Sequence, residues 1–233
     1  MLEKNNTIYF IQNIQKKLIE KNISNWPRRN MKMLEINSHN GIFLPLYLEM
    51  GFDVDCTDSN HINRENIKNT FKSKINIIPS IDIDLQIDDK AYDWVILHLY
   101  HKDEKKILQA ISEASRVTAR CLIITFWNKW SLSNGGKNLD IDIINYAHSF
   151  WLIKKIIKNV IHKKISISST LTGPTRSWNT NSIIASCNRW CNSLPFGAWC
   201  VAKVNIAPYK PLTTTLLRVK QFFRKPETIN ANI

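Results

Sequence analysis

No apolar run in these 233 residues approaches the ~20 needed to span a bilayer; the longest, around Tyr92 to Tyr100, falls well short. The amino terminus also lacks the basic-then-apolar pattern of a secretion signal, so a cytoplasmic protein is expected. No Gly-Lys-Ser/Thr follows a strand-like segment, which excludes a loop built to hold a triphosphate. Cysteine is sparse, with Cys56, Cys121, Cys187, Cys191 and Cys200. Cys56 and Cys121 sit in apolar runs where a reduced thiol acts as a small hydrophobe. Cys187 and Cys191 are four apart with no histidine close by, which argues against zinc. Acids are also in deficit, 19 against 32 Lys and Arg, for a net charge of +13. The deficit is confined to one half: residues 1–100 hold 12 basic and 13 acidic residues, residues 101–233 hold 20 and 6. Much of the excess is Lys on an Ile- and Asn-rich background, a bias that genomic base content alone can produce.

What is present is an alternation. Ile8 to Glu20 places Ile8, Ile11, Ile14, Leu18 and Ile19 at helical spacing, an amphipathic helix laid on the core. "NWPRRN" breaks it, "MKMLEI" reads as a strand, Gly41 to Met50 as a helix and "FDVDCTD" as a second strand. A helix near Ile62 to Phe71 and a strand at Ile75 to Ile78 repeat the unit. "YDWVILHLY" is apolar enough to be buried on both faces, Lys105 to Val117 forms a helix with Ile107, Leu108, Ile111, Ala114 and Ser115 inward, and "RCLIITFW" is another buried strand. Such alternation implies a parallel sheet covered on both sides. Further on, "WSLSNGGKN" is a loop, Ile141 to Ile161 is helical, and "KISISST" and "FGAWCVAKVNI" are strands joined without a helical crossover. That pair suggests a hairpin at the sheet edge with one strand reversed. The expected organisation is one domain: an amino-terminal helix (1–27), a core (28–207) and a basic tail (208–233).

In a parallel α/β sheet the ligand sits beyond the carboxyl ends of the strands. Those positions hold Glu35 to Gly41, Asp58, Asp84 and Leu85, His98 to His101, and Asn128 to Ser131. Read together, "MLEINSHNGIFL", "GFDVDCTD", "DIDLQIDDKAYDWVILHL" and "ARCLIITFWNKWSL" resemble the successive motifs of class I S-adenosylmethionine-dependent methyltransferases of the type 11 group, over roughly residues 28 to 135. The resemblance implies an α/β fold: a three-layer Rossmann-like sandwich around a seven-stranded, mostly parallel sheet with its last strand antiparallel. It also implies S-adenosylmethionine as cofactor. Glu35 then matches the acid that suits the cofactor's ammonium, Asp58 the acid that accepts from the ribose hydroxyls, Asp84 the acid that accepts from the adenine amine, and the Leu85 backbone would lie against the ring. Read without the resemblance, Asp58 and Asp84 serve equally as helix or turn caps.

The departure from the family lies in the loop after the first strand. The pattern of glycine at every second position would fall on 37, 39 and 41, where this chain has Asn37, His39 and Gly41. Asn is the best non-glycine substitute for a left-handed residue. His39 instead projects an imidazole toward the cofactor's methionine end unless the ring swings away. No catalytic residue is assigned; His98 and His101 are candidate bases or packing residues. Asn128, Trp130 and Ser131 resemble a recurring Asn-x-Trp-Ser-Leu element, with Trp130 either lining an acceptor pocket or sealing the core. The expected partner is a small-molecule methyl acceptor. A catalytically weakened relative acting as a binding module stays open. So does a binder of nucleic acid or an anionic membrane surface, through Trp178, Trp190, Trp199 and the amphipathic segment Leu212 to Lys225. Core packing is the competing role for Trp151 and Trp199.

Overall fold

The computed structural model describes residues 2–23, 31–131, 146–174, 178 and 195–207. The loop around Gly135, Cys187, Cys191, Trp190 and the basic tail lie outside them. Seven strands form one sheet: β1 (Lys32–Ile36), β2 (Asp53–Thr57), β3 (Asn76–Ile78), β4 (Tyr92–His98), β5 (Thr118–Trp127), β6 (Ile165–Thr170) and β7 (Trp199–Asn205). Their order is β3-β2-β1-β4-β5-β7-β6. The first five are parallel, and β7 runs antiparallel to both β5 and β6. The expected closing hairpin is therefore present at the sheet edge, with the last strand, β7, reversed and lying between β5 and β6.

The helices are α1 (Leu2–Ile23), α2 (Leu44–Glu49), α3 (His61–Phe71), α4 (Glu104–Val117) and α5 (Phe150–Ile161). Strand alternation sorts the core into two layers. Met33, Trp94, Ile96, Ile123 and Val201 face the layer with Ile11, Ile19, Leu44, Tyr47 and Ile67 of α1 to α3. Leu34, Val95, Leu97, Leu122 and Ala202 face Ile107, Ile111, Ile153 and Ile157 of α4 and α5. The Tyr92–His98 strand is buried almost throughout because both faces are covered. On α4 the inward stripe runs through Ala110 and Val117 instead of Leu108, which is exposed. Ile8 is likewise exposed on α1, whose stripe runs through Phe10, Ile11, Leu18, Ile19 and Ile23.

Local chemistry sets the ends of these elements. Asn60 caps α3 by accepting from the Ile62 amide, and Asp103 caps α4 by accepting from Lys105, each satisfying an otherwise unpaired helical donor. Lys203 on β7 donates to the Asn22 carbonyl at 2.6 Å, closing the end of α1 against the sheet. Arg116 on α4 donates to the carbonyls of Leu85 and Ile87 and pairs with Glu113 and Asp89. This ties the crossing between β3 and β4 onto the helix.

Candidate functional site

The loop after β1 has positive φ at each of the three positions where glycine would be expected: 61° at Asn37, 49° at His39 and 68° at Gly41. The backbone has thus kept a conformation that favours glycine although two residues carry side chains. For a non-glycine residue this region costs about 1–2 kcal/mol. Hydrogen bonds hold the loop in place: Ser38 N to Thr57 O (3.2 Å), Ser38 Oγ to Glu35 O (3.2 Å) and Gly41 N to Ser38 O (2.8 Å).

The acids around this loop differ in what they hold. Asp58 is buried at the end of β2; its Oδ2 accepts from the His39 amide at 2.8 Å, and its Oδ1 from the Asn60 amide at 2.8 Å and Asn63 Nδ2 at 3.2 Å. Asp58 therefore braces the loop and caps the approach to α3. Glu35 is fully buried, with Oε1 at 2.9 Å from His98 Nε2, while His98 Nδ1 lies 2.6 Å from Thr125 Oγ1. Both nitrogens of His98 are partnered inside the sheet, and Phe43 stacks on its ring at 5.3 Å. His98 is a buried structural residue in this arrangement. The second oxygen of Glu35 has no hydrogen-bond partner among the described residues. The Tyr47 hydroxyl sits nearby, its ionisation pushed well up by burial and then by Glu35.

Asp84 and Leu85 do not join this group. Asp84 is exposed and accepts from Gln86 Nε2 at 3.2 Å. Leu85 is buried in the α4–α5 layer, with its amide donating to Glu113 and its carbonyl accepting from Arg116. The acid that enters the strand-end cluster is Asp82, two residues earlier. Its Oδ2 accepts from Asn37 Nδ2 at 2.8 Å and from His101 Nε2 at 2.7 Å, and Asn37 Nδ2 also donates to the His98 carbonyl at 3.0 Å. Burial opposes ionisation of Asp82, but the bonds from His101 and Asn37 outweigh it and hold the carboxyl below its ordinary range. Sequence reading missed Asp82 because the alternating Ile and Asp of "IDIDL" leave no pattern that says which acid turns inward. His39 lies edge-on to Tyr100, ring centroids 4.2 Å apart. Burial lowers its imidazole pKa, with Asp58 and Glu35 partly opposing. The imidazole therefore stays among the strand-end acids.

Beyond β5, Asn128 is buried and ties two segments together. Its Nδ2 donates to the carbonyls of Pro195 and Gly197, and its Oδ1 accepts from the Trp130 amide. Trp130 is 70% exposed, so it does not seal the core; Ser131 is buried. Trp151 is 64% exposed, with Lys154 Nζ 5.7 Å over its ring, which corrects the expectation of core packing there. Trp178 and Trp199 are buried. His148, which no motif marked, bridges to Asn128 and is pinned by His148 N to Trp127 O and Lys129 N to His148 O, both 2.8 Å. Burial lowers its pKa, while a bond to the His101 backbone opposes this; its Nε2 has no partner among the described residues. A separate cleft of about 510 Å³ between α3 and β3 is lined by His61, Arg64, Glu65, Lys68, Asn69, Ile77 and Pro79, and none of the strand-end acids borders it.

No family model and no curated protein matches the sequence. Solved structures do resemble the fold. A SAM-dependent methyltransferase from Thermotoga maritima, described as a possible histamine N-methyltransferase, superposes with a TM-score of 0.62 at 14% identity, covering 85% of this chain and 89% of its own. Magnesium protoporphyrin IX methyltransferase from Synechocystis, with bound SAM, gives 0.58 at 13% identity, covering 87% and 83%. A SAM-dependent methyltransferase from Aquifex aeolicus gives 0.56 at 14%, covering 82% and 89%. At such identities the likeness is one of architecture, and it agrees with the strand order and the reversed β7: the chain has the class I S-adenosylmethionine-dependent methyltransferase fold.

Proposed function

We propose that the chain binds S-adenosylmethionine across the carboxyl ends of β1, β2 and β4 and transfers its methyl group to an acceptor. The observation that carries this reading is the run of left-handed residues at 37, 39 and 41, braced from below by Asp58. Such a loop serves a ligand that must come close to the main chain. Glu35, Gly41, Asp58 and the backbone of Asn37 would hold the cofactor. Asp58 keeps one lone-pair direction beyond the three donors it already serves, and the second oxygen of Glu35, near the Tyr47 hydroxyl, has no hydrogen-bond partner among the described residues. When bound, the sulfonium supplies an activated methyl group, and the protein's task is to align it with a nucleophile.

Asn37 makes this binding competitive. Its amide holds the Asp82 carboxylate and also occupies the His98 carbonyl, an acceptor that suits an ammonium group, so a cofactor that reaches this carbonyl competes with that bond. Calorimetric titration with S-adenosylhomocysteine is the test. Saturable binding is expected, weakened by Asp58→Asn and strengthened by Asn37→Gly. Absence of heat and of protection at millimolar ligand would remove the cofactor and leave a chain with only the fold.

A further inference from the structure

We infer that Asp82 and His101 form a proton-accepting dyad for the methyl acceptor, and that the acceptor is a protic nucleophile attacking through a hydroxyl or an amine N–H. This rests on the proposed methyl transfer and goes beyond it by naming the base and the class of acceptor.

The dyad follows from which atoms are already committed. Of the two histidines at the exit of β4, His98 is 3% exposed and has both ring nitrogens partnered. His101 is 24% exposed, and a single ring nitrogen, Nε2, faces Asp82. The carboxylate of Asp82 can only accept, so Nε2 carries a proton, and in the base form of the ring the lone pair lies at Nδ1. The carboxylate is itself fixed: Asn37 holds the same oxygen from the β1 loop, and Asp82 is buried. A buried carboxylate that sets the tautomer and orientation of an imidazole is the arrangement that makes histidine an effective general base.

His148 adds an independent observation on the neighbouring strand exit. Its ring lies against the His101 backbone, and its Nε2 is buried with no hydrogen-bond partner among the described residues. A buried polar nitrogen left unpaired costs about 1–3 kcal/mol, so this edge favours a hydrogen-bonding group. Asp82 from the β3–β4 crossing meets the His101 imidazole, Asn37 from the β1 loop meets Asp82, and the two imidazoles are close enough to interact, with Lys102 following His101 and held over the Tyr146 ring.

In the step proposed, the acceptor's proton passes to His101 Nδ1 as the acceptor's lone pair forms the bond to the methyl carbon. The electron pair of the broken carbon–sulfur bond stays on sulfur in the demethylated cofactor. The imidazolium, paired with Asp82, then returns its proton to solvent. A thiol ionised near neutral pH or a carboxylate would need no such base.

The full chain serves as the test. Imidazole nitrogen-15 spectra at pH 8 should show His101 protonated at Nε2 and bare at Nδ1, and Asp82→Asn should move the proton to Nδ1; a native ring already protonated at Nδ1 overturns the dyad. With radiolabelled S-adenosylmethionine and phenol or thiophenol as probes, His101→Gln should reduce transfer to phenol about 100-fold and leave transfer to thiophenol almost unchanged. Equal loss on both probes, loss on neither, transfer to thiophenol alone, or transfer to neither by a chain that binds S-adenosylhomocysteine each counts against the proposal. The two readings separate by titration: His101→Gln should retain product affinity, whereas a native chain that binds no product defeats the proposed function and leaves the nitrogen-15 result to decide the dyad.

Discussion

Gly41 has two independent reasons to be glycine, and Asn37 and His39 have one each to be something else. At Gly41 a β-carbon would meet Leu44 Cδ1 at 2.7 Å and Phe71 Cε2 at 3.1 Å, and φ is positive as well. Gly41→Ala is therefore expected to cost roughly 2–4 kcal/mol in urea unfolding. Asn37 offsets its left-handed backbone with bonds to Asp82 and His98, and His39 packs on Tyr100. Replacing both with glycine should raise S-adenosylhomocysteine affinity by at least about tenfold, on the order of one displaced hydrogen bond to a charged group; unchanged affinity would show that their side chains do not compete with the cofactor. Asn37 was legible as a left-handed residue because its side chain tolerates that region. Its amide partner was not, since that depends on a carboxylate 45 positions away.

Buried histidines also set the response to acid. Burial holds the imidazole pKa values of His39 and His148 below the ordinary 6.5, so the fold keeps these rings neutral while the unfolded chain takes up protons there. The unfolded state then binds more protons, and stability present above about pH 6.5 is lost as pH falls through the folded values. His148→Gln should flatten that loss between pH 7 and 5, as read from urea midpoints; an unaltered slope would mean the ring titrates normally. Asp82 works in the same sense at lower pH: its carboxyl is held down in the fold, so its contribution stands above about pH 4 and disappears below.

Among the elements, the crossing between β3 and β4 depends most on one side chain. It has little regular structure, and Arg116 reaches from α4 to hold two of its carbonyls and two of its acidic neighbours. Arg116→Ala should lower stability by about 1–3 kcal/mol, because the Glu113 carboxylate and two backbone acceptors lose their donor. If Asp82 is positioned through this crossing, the same variant should blur the His101 tautomer in nitrogen-15 spectra. The strands and most helices were legible from periodicity, down to the doubly buried β4. The crossing was not: short-range pattern carries no sign of an arginine on the following helix, nor that Asp82 turns inward while Asp84, expected to serve the adenine amine, stays exposed.

At the scale of the whole molecule, the surplus of positive charge falls in residues 101–233, and part of it forms the exposed side of α5 with Lys154, Lys155 and Lys158. Replacing these three by Gln should leave unfolding within about 0.5 kcal/mol. If the basic half has an affinity for polyanions, the variant should leave heparin at lower salt than the native chain; identical elution would assign these lysines to solvation alone. The layered architecture was legible as a whole because alternating strands and helices admit few arrangements. Where the last strand enters was not, since its sequence fits an edge as well as an interior.

That entry point governs how the molecule can be made. Among the described residues β6 pairs with β7 alone, and β5 meets β7 along one side. During synthesis β6 emerges first with α1 and α5 to pack on but no strand to pair with, while the flank of β5 stays open until Trp199 to Asn205 have left the ribosome. Nascent chains and truncations ending before that point carry two unpaired strand borders, the kind of surface that recruits chaperones or other copies.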